Sequence, residues 1–172
     1  MSWDNWVGVL RDPISLLSLK NSLFLGVVGA TLGTVLSIFV SYVIVKVRST
    51  ASGLLESLSF LSFSFPGIVI GVGFMWFFVR TPLYGTITAL LIGYIATYLP
   101  YGIRPISSAF VQIHSHLEES SRVCGASPFY TLRRIVIPLL IPGIVSGWIL
   151  MASMFLRELT LSVVLSRPGT EV

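Results

Sequence analysis

Apolar residues in this chain come in long unbroken stretches. They show neither the strict alternation of a half-buried strand nor the narrow stripe of a soluble surface helix. Four stretches stand out, at about 23–45, 61–79, 84–101 and 141–165. Each holds roughly 18–25 residues, and at about 1.5 Å per residue a helix of that length can cross a hydrocarbon core about 30 Å thick. Backbone polar groups inside lipid must be satisfied within their own segment, which makes helices the default. The pattern predicts an all-α, polytopic membrane helix bundle of about four transmembrane helices, with residues 1–172 forming a single domain.

Between the third and fourth stretches, over residues 112–142, the pattern changes to a helical period. Phe110, Ile113, Leu117 and Cys124 recur at offsets of one helix face, and Glu118 and Glu119 fall off it. Gly125 interrupts. Ser127 followed by Pro128 is a helix-start signal, an N-cap residue and then a proline at the first helical position. Phe129, Leu132, Ile135 and Val136 form a second apolar stripe beside Arg133 and Arg134, and Pro138 and Pro142 mark a turn into the fourth stretch. The segment therefore predicts a helix–Gly–helix unit at the membrane surface. Periodicity alone fits an amphipathic helix on lipid headgroups and a helix held by a partner equally well.

Composition sharpens the class. Of 172 residues, 54% are hydrophobic and 10% charged, far below the roughly 25% charged residues of a soluble domain. The formal charge of +4 is spread along the chain, which argues against nucleic-acid binding. Lys46, Arg48, Arg104, Arg122, Arg133 and Arg134 fall on one side of the expected spans; Arg11, Lys20, Arg80 and Arg167 fall on the other. The bias places both termini outside and the 112–142 segment in the cytoplasm. Cys124 is the single cysteine, so no intrachain disulfide forms. The opening MSWDNWVGVLRDP lacks the basic cluster of a signal peptide; Trp3 and Trp6 suit an interfacial lead-in, and a frayed end suits the same residues. Gly29 with Gly33, Gly67 with Gly71 and Gly143 with Gly147 are small-xxx-small pairs that let helices approach closely.

The spacing within the polar segment is specific. Glu119 is followed by Gly125 six residues on, by Ile135 ten further, and then by Ile137 and Pro138. This resembles the EAA loop of permease subunits in binding-protein-dependent ABC importers, whose pattern is Glu-Ala-Ala, three residues, Gly, nine residues, Ile, one residue, Leu-Pro. Ser120 and Ser121 stand for the two alanines and Ile137 for the leucine. The flanks resemble the same family: Asn21 to Tyr42 its first core helix, Phe65 to Phe78 its second, and Met154 to Val172 its iron(III)-type branch. The chain resembles the second half of such a permease, ending before the family's last helix.

The resemblance implies a bacterial inner-membrane permease subunit whose loop docks on a cytoplasmic ATPase. The residues it singles out for coupling are Glu119, Ser120, Ser121, Gly125, Arg133, Arg134, Ile135 and Pro138. It implies as partners a second permease half or subunit, the ATPase subunits, an extracytoplasmic solute-binding protein and membrane lipid. The implied cargo is iron(III), with thiamine, polyamine, sulfate and phosphonate as alternatives in the same class. A small helical membrane channel or assembly protein with a surface helix is the alternative from a different class; it has no need of Gly125 in register with Glu119 and Pro138.

Other chemistry is sparse. Arg157 and Glu158 fall inside the fourth stretch, where charges are costly. They are candidates for the translocation path, with a structural ion pair or snorkelling as the alternative. His114 and His116 lie on different helix faces without a third ligand, so no metal or cofactor site is expected. No GxxxxGK[ST] motif occurs, so ATP hydrolysis falls to a partner and the chain itself is not an enzyme.

Overall fold

The computed structural model describes residues 12–47, 50–113 and 115–172. The expected interfacial lead-in with Trp3 and Trp6, Arg48 and His114 lie outside them. Among the described residues the chain is helical, without strands.

Helix α1 (Pro13–Val47) opens with Asp12 as N-cap. The Asp12 carboxylate accepts from the Ser15 backbone N–H at 2.9 Å and from its hydroxyl at 2.7 Å. These bonds, the hydroxyl first, hold the Asp12 carboxyl below the usual carboxylate range. Pro13 then takes the first helical position, where its missing N–H costs nothing. Two wide π-type turns, Leu25–Gly29 and Val43–Val47, interrupt the regular α geometry.

The chain continues through α2 (Thr50–Ser59), a 3-10 turn (Leu61–Ser64), α3 (Gly67–Phe78), α4 (Ile87–Gln112) and α5 (Ser115–Val123). It ends with α6 (Phe129–Leu156), whose first turn begins at Pro128, and the short α7 (Thr160–Leu165).

Helices α1 and α6 are long and apolar enough to cross a membrane. The other expected spans need new boundaries. The stretch at 61–79 is not one helix: Pro66 is extended at φ −58° and ψ 140°, so α3 starts only at Gly67 and rises about 18 Å. The third helix runs on from the expected 84–101 to Gln112, through Pro100 and Pro105. The fourth begins at the polar segment, passes Pro138 and Pro142 without a turn, and stops at Leu156 rather than 165.

Two compact units emerge. The first comprises the chain up to Leu32, Leu61–Tyr98 and Ala152–Val172. Glycines set its helix contacts. A Cβ on Gly29 would stand 2.6 Å from the Phe155 ring, so α1 and α6 meet at distances only a bare backbone permits. Gly67 and Gly71 on α3 face Thr160 and Val164 on α7. Tyr94, fully buried, stacks edge-on to Phe155 at 5.4 Å and shares a 2.5 Å hydrogen bond with the Ser162 hydroxyl.

The second unit comprises Gly33–Phe60 and Leu99–Met151. Its core is Ile106, Phe110 and Ile113 from the end of α4 against Val136 and Leu140 of α6. Here too glycine allows the approach: a Cβ on Gly143 would lie 2.5 Å from the Ala109 Cβ and 3.0 Å from the Pro105 carbonyl oxygen. The Ser41 hydroxyl donates to the Ile103 carbonyl at 3.2 Å, which ties α1 to α4. All three expected small-xxx-small pairs lie on helices; the partners above make Gly29, Gly67, Gly71 and Gly143 packing positions, and a Cβ on Gly147 would lie 3.2 Å from the Gly102 carbonyl oxygen.

Candidate functional site

The polar segment lies in the second unit and is built around a helix end. Helix α5 closes at Val123, and Gly125 takes φ +82°, the left-handed conformation that other residues resist. The Gly125 N–H donates to the Arg122 carbonyl at 2.9 Å and the Ala126 N–H to the Ser121 carbonyl at 3.1 Å. These are the two bonds of a Schellman motif, and they satisfy carbonyls that the helix end would otherwise orphan. Two residues on, the Ser127 hydroxyl accepts from the Tyr130 N–H at 3.2 Å and so caps the start of α6.

A side-chain bond fixes the angle between the two helices. Ser121 of α5 and Thr131 of α6, both buried, share a hydrogen bond of 2.8 Å between their hydroxyls. Thr131 also donates to the Ser127 carbonyl at 3.2 Å. A small hydroxyl at position 121 thus does a job that an alanine could not: it locks the turn.

The turn projects apolar side chains outward. Val123 is 88% exposed, Phe129 70% and Tyr130 55%, and Cys124 is exposed with them. Glu119, Ser120, Arg122, Arg133 and Arg134 are exposed around them. His116 Nδ1 lies 3.3 Å from Glu119 Oε2, both well exposed, so this contact adds little. Between the turn and the end of α1 lies a cleft of about 320 Å³, lined by Tyr42, Lys46, Arg122 and Phe129 among others.

Of the residues singled out for coupling, the structure groups Glu119, Ser120, Ser121 and Gly125 on α5 and its turn. Arg133, Arg134, Ile135 and Pro138 lie on α6, where residues 132–136 form a π-type turn. The expected single stripe from Phe110 to Cys124 is corrected: α4 ends at Gln112, Phe110 and Ile113 are core, and Leu117 and Cys124 are exposed. The second stripe divides as well, with Val136 buried and Phe129 exposed. The helix–Gly–helix unit keeps its first helix and its glycine, but the second helix is the opening of α6. Val123 and Tyr130 were not among the expected residues.

Arg157 and Glu158 lie where α6 breaks. Arg157 is exposed. Glu158 is half-buried; its carboxylate accepts from the Leu161 N–H at 2.7 Å and from the Tyr98 hydroxyl, and its carbonyl accepts from Ser162 at 2.8 Å. It therefore caps α7 and ties it to α4 within the first unit. Among the described residues no group of three His, Cys, Asp or Glu is placed to hold a metal ion.

A continuous apolar helix, long enough to cross a membrane, thus leads from a glycine-closed surface turn. Residues 23–171 match the family of binding-protein-dependent transport system inner membrane components, and the chain belongs to that family. A Fe(3+)-transport system permease protein of Haemophilus influenzae is 26% identical over 88% of this chain and 30% of its own length. A trehalose transport system permease protein of Mycobacterium tuberculosis is 26% identical over 96% of this chain and 61% of its own length. The spermidine/putrescine transport system permease protein of Escherichia coli K12 is 24% identical over 97% and 64%. The chain thus spans between about a third and under two thirds of these curated relatives. The solved structure of inward-facing conformations of the MetNI methionine ABC transporter shares the fold, with a TM-score of 0.70 over 91% of this chain and 73% of that one, at 20% identity.

Proposed function

We propose that this chain is the membrane-embedded permease part of an ABC importer in a bacterial inner membrane. In this reading α1, α4, α6 and the 61–79 stretch, a 3-10 turn followed by α3, cross the membrane, residues 1–172 act as one permease domain, and the Gly125 turn is the segment that a cytoplasmic ATPase holds. The observation that carries it is the locked turn. Two Schellman bonds and the Ser121–Thr131 pair fix a knuckle whose Val123, Phe129 and Tyr130 stand exposed among the described residues. Amphipathic helices fill grooves with such side chains. Glu119, Arg133 and Arg134 at its rim supply charge complementarity for orientation. Because the second helix is continuous with α6, a push on the knuckle passes directly into a membrane span.

The remaining partners follow from the class: a second permease half or subunit, and an extracytoplasmic solute-binding protein. We propose iron(III) as the cargo, supported by the relatives named for Fe(3+) or ferric transport. Relatives of similar identity are named for trehalose and for spermidine/putrescine, which keeps those cargoes as the alternatives.

The test is co-purification of the tagged chain with its cognate ATPase from membranes, wild type against Phe129→Glu. Phe129 is exposed, so the fold tolerates the charge. Loss of the ATPase at equal membrane levels supports the reading; equal recovery from both refutes it.

A further inference from the structure

The second unit holds another cleft, whose lining shares no residue with the one beside the Gly125 turn. It measures about 650 Å³ and is lined by Glu56 from α2, by Arg104, Ser107 and Ser108 from α4, and by apolar neighbours such as Val45 and Val111. Three observations set it apart. First, Glu56 and Arg104 bring opposite charges to one cleft, yet no ion pair joins the two. Second, the Arg104 guanidinium lies over the Phe60 ring at 4.3 Å, which holds its charge on the cleft wall. Third, Ser108 is exposed and adds a hydroxyl to the lining.

Two opposite charges held apart and an open hydroxyl are expensive against hydrocarbon. They are cheap against water or a polar solute, which supplies the missing partners. The charges sit on different helices, so a solute in the cleft meets a carboxylate on one side and a guanidinium on the other. A wall of that kind favours neither sign strongly and offers both donors and acceptors.

We propose that this cleft is a hydrated stretch of the solute path, accepting small hydrophilic solutes of either charge sign, with Glu56 and Arg104 as its opposing walls. The proposal rests on the reading of the chain as a transport subunit and places the polar path at residues other than Arg157 and Glu158. A path lined this way passes a cargo without selecting it by charge.

The test uses Ser108→Cys in a Cys124→Ser background, in inside-out membrane vesicles. Two small impermeant thiosulfonates serve as probes, one a sulfonate anion and one a trimethylammonium cation. Both should react with the thiol introduced at position 108 far faster than with one introduced by Val145→Cys, at an exposed apolar position on α6. Adding Glu56→Gln should slow the cation relative to the anion several-fold, and Arg104→Gln should do the reverse, the size expected when one unit charge leaves a partly solvated wall. Arg104→Lys keeps the charge without the guanidinium packing and should leave the ratio near its starting value. Labelling no faster than at position 145, or a ratio indifferent to both neutral variants, overturns the proposal. The labelling requires no ATPase. It can therefore fail while co-purification succeeds, or succeed while co-purification fails, which separates this inference from the coupling reading.

Discussion

Replacing Gly125 probes the turn without touching its surroundings. Its φ of +82° is left-handed, and among the described residues nothing lies within 4 Å of where a Cβ would stand. A Cβ therefore meets no clash, and the cost of adding one is conformational. An L-residue pays about 1–2 kcal/mol in this region, and a β-branched one sits at the upper end. A valine escapes that strain only by leaving the region, which breaks the Gly125–Arg122 and Ala126–Ser121 bonds that define the turn. If the ATPase binds the locked turn, its affinity falls by the same free energy, and about 2 kcal/mol is about 30-fold. Asparagine enters the left-handed region far more readily, so Gly125→Asn should cost less than about threefold. The assay is titration of purified ATPase onto the chain in lipid nanodiscs, with helical content checked by circular dichroism. Binding of Gly125→Val within twofold of wild type would refute the reasoning. So would an equal loss in Gly125→Asn and Gly125→Val, since that marks a contact at Gly125 rather than its conformation.

Four further predictions concern stability. Thr131→Val should cost about 1–3 kcal/mol by stranding the buried Ser121 hydroxyl, and Ser121→Val should cost less because Thr131 keeps its bond to the Ser127 carbonyl, while the double variant costs less than the sum; a double-mutant cycle on thermal unfolding in detergent reads the difference. Gly143→Ala places a methyl 2.5 Å from the Ala109 Cβ and against the Pro105 carbonyl, so it should lower the unfolding midpoint and the yield. Gly73→Ala, with no described residue within 4 Å of the new methyl, should leave both unchanged or raise the midpoint, since alanine is favoured by about 1 kcal/mol in a helix. Glu158→Gln keeps an acceptor for the Leu161 N–H and should assemble normally, whereas Glu158→Ala uncaps α7 and should reduce stability by about 1–3 kcal/mol, measured by the same unfolding midpoint.

Features governed by local chemistry were legible in the sequence. The Ser127–Pro128 start of α6 rests on an N-cap and a proline that act within one turn, and the structure shows that cap. Gly125 was legible because few residues reach a positive φ. Gly29, Gly143 and Gly147 were legible because lipid-embedded helices need bare backbone to approach closely, whereas Gly67 and Gly71 leave room for a Cβ at ordinary contact distance.

What escaped depends on distant residues. The passage of α6 through Pro138 and Pro142 is set by context: the π-type turn at 132–136 immediately precedes Pro138. Local irregular turns of this kind accommodate prolines in membrane helices. The break at 157–159 is held by Glu158, whose partner Tyr98 lies 60 residues away in sequence. No local signal marks that bond. The exposure of Val123 and Tyr130 follows from where α4 ends and from the angle the Ser121–Thr131 bond fixes between α5 and α6. A helical-wheel reading cannot see either, which is why it assigned Phe110 and Cys124 to a common stripe.

The native cysteine offers the most direct test of the central claim. Cys124 is the single cysteine of the chain, is exposed, and sits on the turn itself. Modified with a benzophenone maleimide in membranes that contain the cognate ATPase and then illuminated, it should form a covalent adduct with the ATP-binding subunit, identified by mass spectrometry. Adducts with lipid alone, while the same probe at a Val111→Cys substitution in a Cys124→Ser background captures the ATPase, would contradict the account and move the docking site away from the Gly125 turn.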